Sequence, residues 1–103
     1  MSVRKRHLVL SPRASDDLDD VLLYTEQQWG SEQRERYQRD LLDGLNQLLT
    51  FPLLGKERPD YEPGARSIQI EHHVAIYQVS DAEVHISRSV HVRRDIEAEY
   101  VER

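Results

Sequence analysis

From Ala14 onward, apolar side chains recur at steps of three and four: Ala14, Leu18, Val21, Leu22, Thr25 and Trp29. That spacing returns to one face of a 3.6-residue helix and predicts an amphipathic α-helix. Ser11-Pro12 marks its start, because Ser can cap and Pro at the first helical position loses only an N–H that had no partner. Asp16, Asp17, Asp19 and Asp20 fall in the N-terminal half, where carboxylates suit the helix dipole, and Gly30 is a natural stop. A second stripe follows at Tyr37, Leu41, Leu45, Leu48 and Leu49, with Ser31 as the expected cap and Phe51-Pro52 as the end. Two helices joined by a Gly-Ser turn are expected to pack as an antiparallel hairpin. On these stripes Trp29 and Tyr37 read as core side chains rather than recognition aromatics.

After a connection over residues 52–65, rich in Pro and Gly, the period changes to two. Ile68 and Ile70, then Val74 and Ile76, then Val84 and Ile86 alternate with other residues, the pattern of half-buried strands. Ser80-Asp81-Ala82 reads as a three-residue hairpin loop, whose register pairs Ile76 with Ile86 and Gln78 with Val84. With the apolar run His7-Leu8-Val9-Leu10 at the start, the order is strand, helix, helix, strand, strand, strand. The expected fold class is α+β: an N-terminal strand, a two-helix hairpin and a three-stranded antiparallel meander, with the helices on one face of the sheet. That face takes Ile68, Ile70, Val74, Ile76, Val84 and Ile86. The opposite face is expected to present Gln69, Glu71, His73, Ala75, Tyr77, His85, Ser87 and His91.

A length of 103 residues predicts one domain, with residues 96–103 as a charged tail or frayed helix. Fourteen basic against nineteen acidic side chains give a net charge of -5, which excludes a nucleic-acid coat working by bulk electrostatics. The charge is uneven: residues 64–94 carry four arginines against three carboxylates, between more acidic ends. The absence of cysteine removes disulfides, thiolate metal sites and Cys nucleophiles together. No apolar run approaches the length of a membrane helix or of a signal peptide core, so a cytoplasmic protein without membrane contact is expected.

No cofactor and no metal site are expected. His72 and His73 are neighbours read on one strand, so their side chains point to opposite faces and cannot share an ion. The four aspartates spread around a helix without a glycine-containing calcium loop. Phosphate-binding glycine motifs and a serine nucleophile elbow are absent. The group with most chemistry is the open sheet face and its rim, where His73, Tyr77 and His91 with Arg88, Arg93 and Arg94 offer proton transfer and phosphate stabilisation. That face lacks the Lys/Arg density that holding RNA requires.

Several ordered motifs resemble the ParE branch of the RelE/ParE toxin superfamily. They are Leu10-Ser11-Pro12-Arg13-Ala14 with Asp17-Leu18-Asp19-Asp20, Tyr24-Thr25 leading to Trp29-Gly30, and Gln33 with Tyr37. Further along come Phe51-Pro52-Leu53-Leu54-Gly55, Gly64-Ala65-Arg66, His73-Val74-Ala75-Ile76-Tyr77 and the run Arg88 to Asp95. The resemblance covers residues 8–95. It implies the toxin of a type II toxin–antitoxin pair, neutralised by a ParD-like antitoxin and poisoning DNA gyrase by protein contact. No catalysis, cofactor or sequence-specific nucleic-acid binding is implied. The RelE-type alternative is a ribosome-dependent mRNA endonuclease, with His73, Tyr77, His91 and Arg94 as its acid/base and phosphate groups. On the gyrase reading, Arg66, Tyr77, Arg88, His91, Arg93 and Arg94 are candidate contacts with target or antitoxin. Arg88 has a second reading, an internal ion pair with a helix carboxylate. Leu22, Leu23, Leu42 and Leu53 lie off the main stripes, where they form an apolar groove for an antitoxin helix or widen the core.

Overall fold

A computed structural model describes residues 6–91 of the chain. In chain order the elements are β1 (His7–Leu10), α1 (Pro12–Trp29), α2 (Ser31–Thr50), β2 (Lys56–Glu57), β3 (Arg66–Ile70), β4 (His73–Val79) and β5 (Glu83–His91). The α+β order is as expected, with β2 added inside the 52–65 connection. The five strands form one sheet in the order β1-β5-β4-β3-β2. β1 pairs parallel to β5, and the other neighbours are antiparallel. Parallel neighbours need a long crossover, which the helices and the rest of the meander supply.

Ser11 caps α1, its Oγ accepting the Ala14 N–H at 3.0 Å, and Pro12 takes the first helical position. The helix buries Ala14, Leu18, Leu22 and Thr25, and the Thr25 hydroxyl donates to the Val21 carbonyl at 2.8 Å. The buried stripe stops there. Trp29, expected in the core, is 65% exposed. It stands in the last turn, past the final buried position, with Tyr24 against it edge-on at 6.1 Å. Gly30, at φ 92°, ends α1 and begins α2, so Ser31 is the first residue of α2 rather than its cap. α2 buries Leu41, Leu45 and Leu48. Gly44 lies in its middle, where glycine costs about 1 kcal/mol relative to alanine. A Cβ there would run into the branched side chain of Ile70, so the glycine lets α2 settle onto β3.

The expected face of β4 is inverted. Ile68, Ile70, Val84 and Ile86 do face the helices, but their partners on β4 are, in that order, Ala75, His73, Val79 and Tyr77, not Val74 and Ile76. The cause is turn length. Ile70 pairs with His73 across a turn of two residues, Glu71-His72, so even-numbered positions of β3 meet odd-numbered positions of β4. The β4–β5 turn also has two central residues, Asp81 and Ala82, closed by Ser80 N–H donating to the Glu83 carbonyl at 2.9 Å. The register is therefore Tyr77 with Ile86, Gln78 with His85 and Val79 with Val84, in place of the expected pairs. A bulge at Ser87 then shifts Ile76 onto Arg88. His72, in the turn, is not a strand neighbour of His73.

Candidate functional site

The helix-facing side of β4 has two different ends. At Tyr77, which is fully buried, the hydroxyl donates to the Pro52 carbonyl at 2.9 Å and accepts the Gly55 N–H at 2.8 Å. Burial pushes its pKa above the ordinary 10.0, so the group stays a neutral phenol. A Cβ on Gly55 would stand 2.7 Å from the Tyr77 ring and 2.8 Å from the Ser67 carbonyl, so only glycine fits this approach. Arg66 closes the same turn, donating to the carbonyls of Gly55 at 2.7 Å and Leu53 at 3.3 Å, with Glu57 at 3.6 Å. The turn thereby holds Phe51, Leu53 and Leu54 outward, each more than half exposed.

At the other end, buried His73 shares a hydrogen bond between its Nδ1 and the Tyr37 hydroxyl at 2.7 Å, with the two rings edge-to-face. Burial raises the Tyr37 pKa above 10.0, and the negative charge of Glu71 adds to this while the His72 backbone opposes it. The pair lies at the base of a cleft of about 860 Å³ between the closed end of the helix hairpin and the β3–β4 turn. Tyr24 and Trp29 line one wall, and Asp20, Asp40 and Glu71 are carboxylates on its lining, with Arg36 among them. Glu71 is put there by a left-handed backbone, at φ 55°, where a residue with a Cβ is uncommon.

Beside the cleft, β1 has ended, and α1 takes over the edge of β5. The Asp17 carboxylate accepts Arg88 Nε at 2.8 Å, Arg88 Nη2 at 3.1 Å and the Ser89 N–H at 3.0 Å. With side chains only 6% and 11% exposed, this is a buried, two-pronged ion pair.

Of the residues singled out in the sequence, Tyr77 and His73 are in the helix-side core, not on the open face. Arg88 takes the second of its two readings, the internal ion pair. Arg66 is bonded to the 53–55 turn. Leu22 is buried, whereas Leu42 is 37% and Leu53 66% exposed and they do not share the large cleft. The backbone of His91 pairs with His73 at the end of β5. Arg93 and Arg94 lie outside the described residues. The sequence does not gather Tyr24, Trp29, Asp20, Asp40 and Glu71 into one site, Trp29 being expected in the core and Glu71 on the open sheet face, although Trp29 beside the helix-stopping Gly30 marks a last turn with nothing further to pack on. Among the described residues no three His, Asp or Glu side chains converge to hold a metal, and no helix is long and apolar enough to cross a membrane.

Residues 8–96 match a family model described as the ParE toxin of the type II toxin–antitoxin system parDE. Toxin ParE1 of Caulobacter vibrioides is 37% identical over 82 residues, which is 80% of this chain and 84% of that protein. Toxin ParE1 of Mycobacterium tuberculosis is 28% identical over 90 residues, covering 86% of this chain and 92% of that one. In fold, the chain is similar to a solved chain described as the chromosomal ParDE TA system from P. aeruginosa. The TM-score is 0.72 at 24% identity, over 84% of this chain and 96% of the other. The sequence motifs, the helix hairpin on a five-stranded sheet and the family match over nearly the whole length agree: the chain belongs to the ParE toxin family of type II toxin–antitoxin systems.

Proposed function

We propose that this toxin acts in the cytoplasm by protein–protein contact on DNA gyrase, without catalysis, and that a ParD-like antitoxin neutralises it. The observation that carries this reading is the placement of His73 and Tyr77. General acid–base work needs groups that reach substrate. Here the Tyr77 hydroxyl is fully buried and bonded on both sides, and His73 is 2% exposed. Two of the four groups that an mRNA endonuclease would use are thus built into the core. The relatives named ParE1 and the solved ParDE system support the same assignment of partner class.

The test is to incubate the purified chain with gyrase, ATP and supercoiled plasmid, trap with detergent and look for linear DNA. Linear product that disappears on adding the antitoxin supports the reading. Its absence, together with new mRNA ends phased to codons in cells expressing the toxin, overturns it in favour of the ribosome. Arg93 and Arg94 are proposed contacts with target or antitoxin. The R93E/R94E variant is expected to lose toxicity while its melting temperature stays nearly unchanged, and full toxicity removes both from the contact surface.

A further inference from the structure

The cleft at the closed end of the helix hairpin has a composition that the fold itself does not require. Tyr24 is 54% and Trp29 65% exposed, although aromatic side chains of this size each bury 150–250 Å² when covered. Solvent-facing Tyr and Trp, side by side at a concave site, are the residue types that dominate the centres of protein interfaces. The remaining lining is acidic. Asp20, Asp40 and Glu71 stand against Arg36, while Asp17 is already matched by Arg88. Among the described residues, those three carboxylates are in no ion pair. A second depression of about 360 Å³ adjoins the cleft, shares Asp40 and Glu71 with it, and adds Asp43. The acidic lining therefore continues along α2, past the reach of a single side chain. The base is rigid, because the Tyr37–His73 hydrogen bond and the Asp17–Arg88 pair hold α1, α2, β4 and β5 together there. A surface already ordered loses little entropy when a partner arrives.

We propose that this cleft docks an amphipathic segment of a protein partner that carries arginine or lysine between its apolar residues. The apolar side chains cover Tyr24, Trp29 and Val21, and the cations meet Asp20, Asp40 and Glu71. A guanidinium at the rim also finds the ring faces of the Tyr24–Trp29 pair, a favourable cation–π geometry. The inference concerns the chemistry of the segment and stands whether or not gyrase is the target.

Trp29 is the only tryptophan, so its emission reports occupancy directly in the full chain. The probe is an amphipathic peptide of leucine, alanine and arginine without tryptophan, and its control has every arginine replaced by glutamate. The arginine peptide is expected to shift the Trp29 emission saturably, with Kd below about 100 μM, and to bind more weakly as salt is raised. The D20N/D40N/E71Q variant is expected to bind it about tenfold more weakly. Y24A, which removes the aromatic wall but no charge, is expected to weaken binding as well. Melting curves identify any variant that fails to fold. No response to the arginine peptide, an equal response to the glutamate peptide, or undiminished binding by the triple carboxylate variant each overturns the proposal.

Discussion

Tyr77 and Tyr37 both have a hydroxyl under the helix hairpin, yet they serve different ends of the molecule. The Tyr77 hydroxyl is saturated by Pro52 and Gly55, sits under a turn that admits only glycine, and has no exposure. Tyr37 is half-buried, shares its hydroxyl with His73, and opens onto a cleft lined with carboxylates and exposed aromatics. One end is a strut in which every atom has a structural task. The other has a fixed base and a lining that contributes little to stability. The difference separates residues held by folding from residues left available for a partner.

The largest effect is expected where the cleft meets the sheet. D17N removes one partner of the buried Asp17–Arg88 pair and should cost about 3–5 kcal/mol in urea unfolding; a loss below about 1 kcal/mol would show that the base is not a rigid support. At the strut, G55A forces the Tyr77 ring away from the turn and should cost about 2–3 kcal/mol. Y77F leaves the Gly55 N–H without its acceptor and should cost about 1–2 kcal/mol. The same tyrosine produces a pH effect. Burial raises its folded pKa above 10.0, so above pH 10 the unfolded chain binds fewer protons than the folded one and stability falls as pH rises. Y77F should flatten that alkaline decline, and an unchanged slope would assign it elsewhere. The smallest effect belongs to the cleft wall: W29A should change stability by less than about 0.5 kcal/mol, because the ring is mostly in water. If W29A cost as much as G55A, the contrast between the two ends would be wrong.

How much of this was legible before the structure depends on whether a segment had a polar face to orient it. Both helices did, and their stripes place Leu18, Leu41, Leu45 and Leu48 in the core as read. β3 did too, with Gln69 opposite Ile68 and Ile70. β4 did not. Its even positions offer Val74 and Ile76, its odd positions Ala75, Tyr77 and Val79, and Ile76 is as completely buried as Tyr77. With both faces apolar, the two-residue turn at Glu71-His72 decided the parity. That turn lacks the glycine or asparagine that usually announces one. Misplacing the face moved His73 and Tyr77 from the core to an imagined open surface. The site was less legible still, because a cleft is made by elements far apart in sequence. Asp17 and Arg88 are 71 residues apart, and nothing local in either says that they meet. The motif Phe51-Pro52-Leu53-Leu54-Gly55 was visible as a pattern, but its physical meaning comes only from the Tyr77 hydroxyl lying across it.

Ser11 makes four hydrogen bonds: its N–H donates to the Ile86 carbonyl, its Oγ donates to the Ser87 carbonyl and accepts from the Ala14 N–H, and its carbonyl accepts from the Ser15 N–H. Together with the β1–β5 pairing, this gives the chain a clock. The first strand and the first helix cap find their partners only at residues 83–87, with Ser11 and Ser87 standing 76 positions apart. At a synthesis rate of about 5–20 residues per second, the N-terminal segment waits some seconds on the ribosome before the sheet can close around it. The edge that β1 lends to the sheet and the bonds that anchor the first helix cap are thus completed only after β5 has been made, so the start of the chain is among the last parts of the fold to be fixed in place.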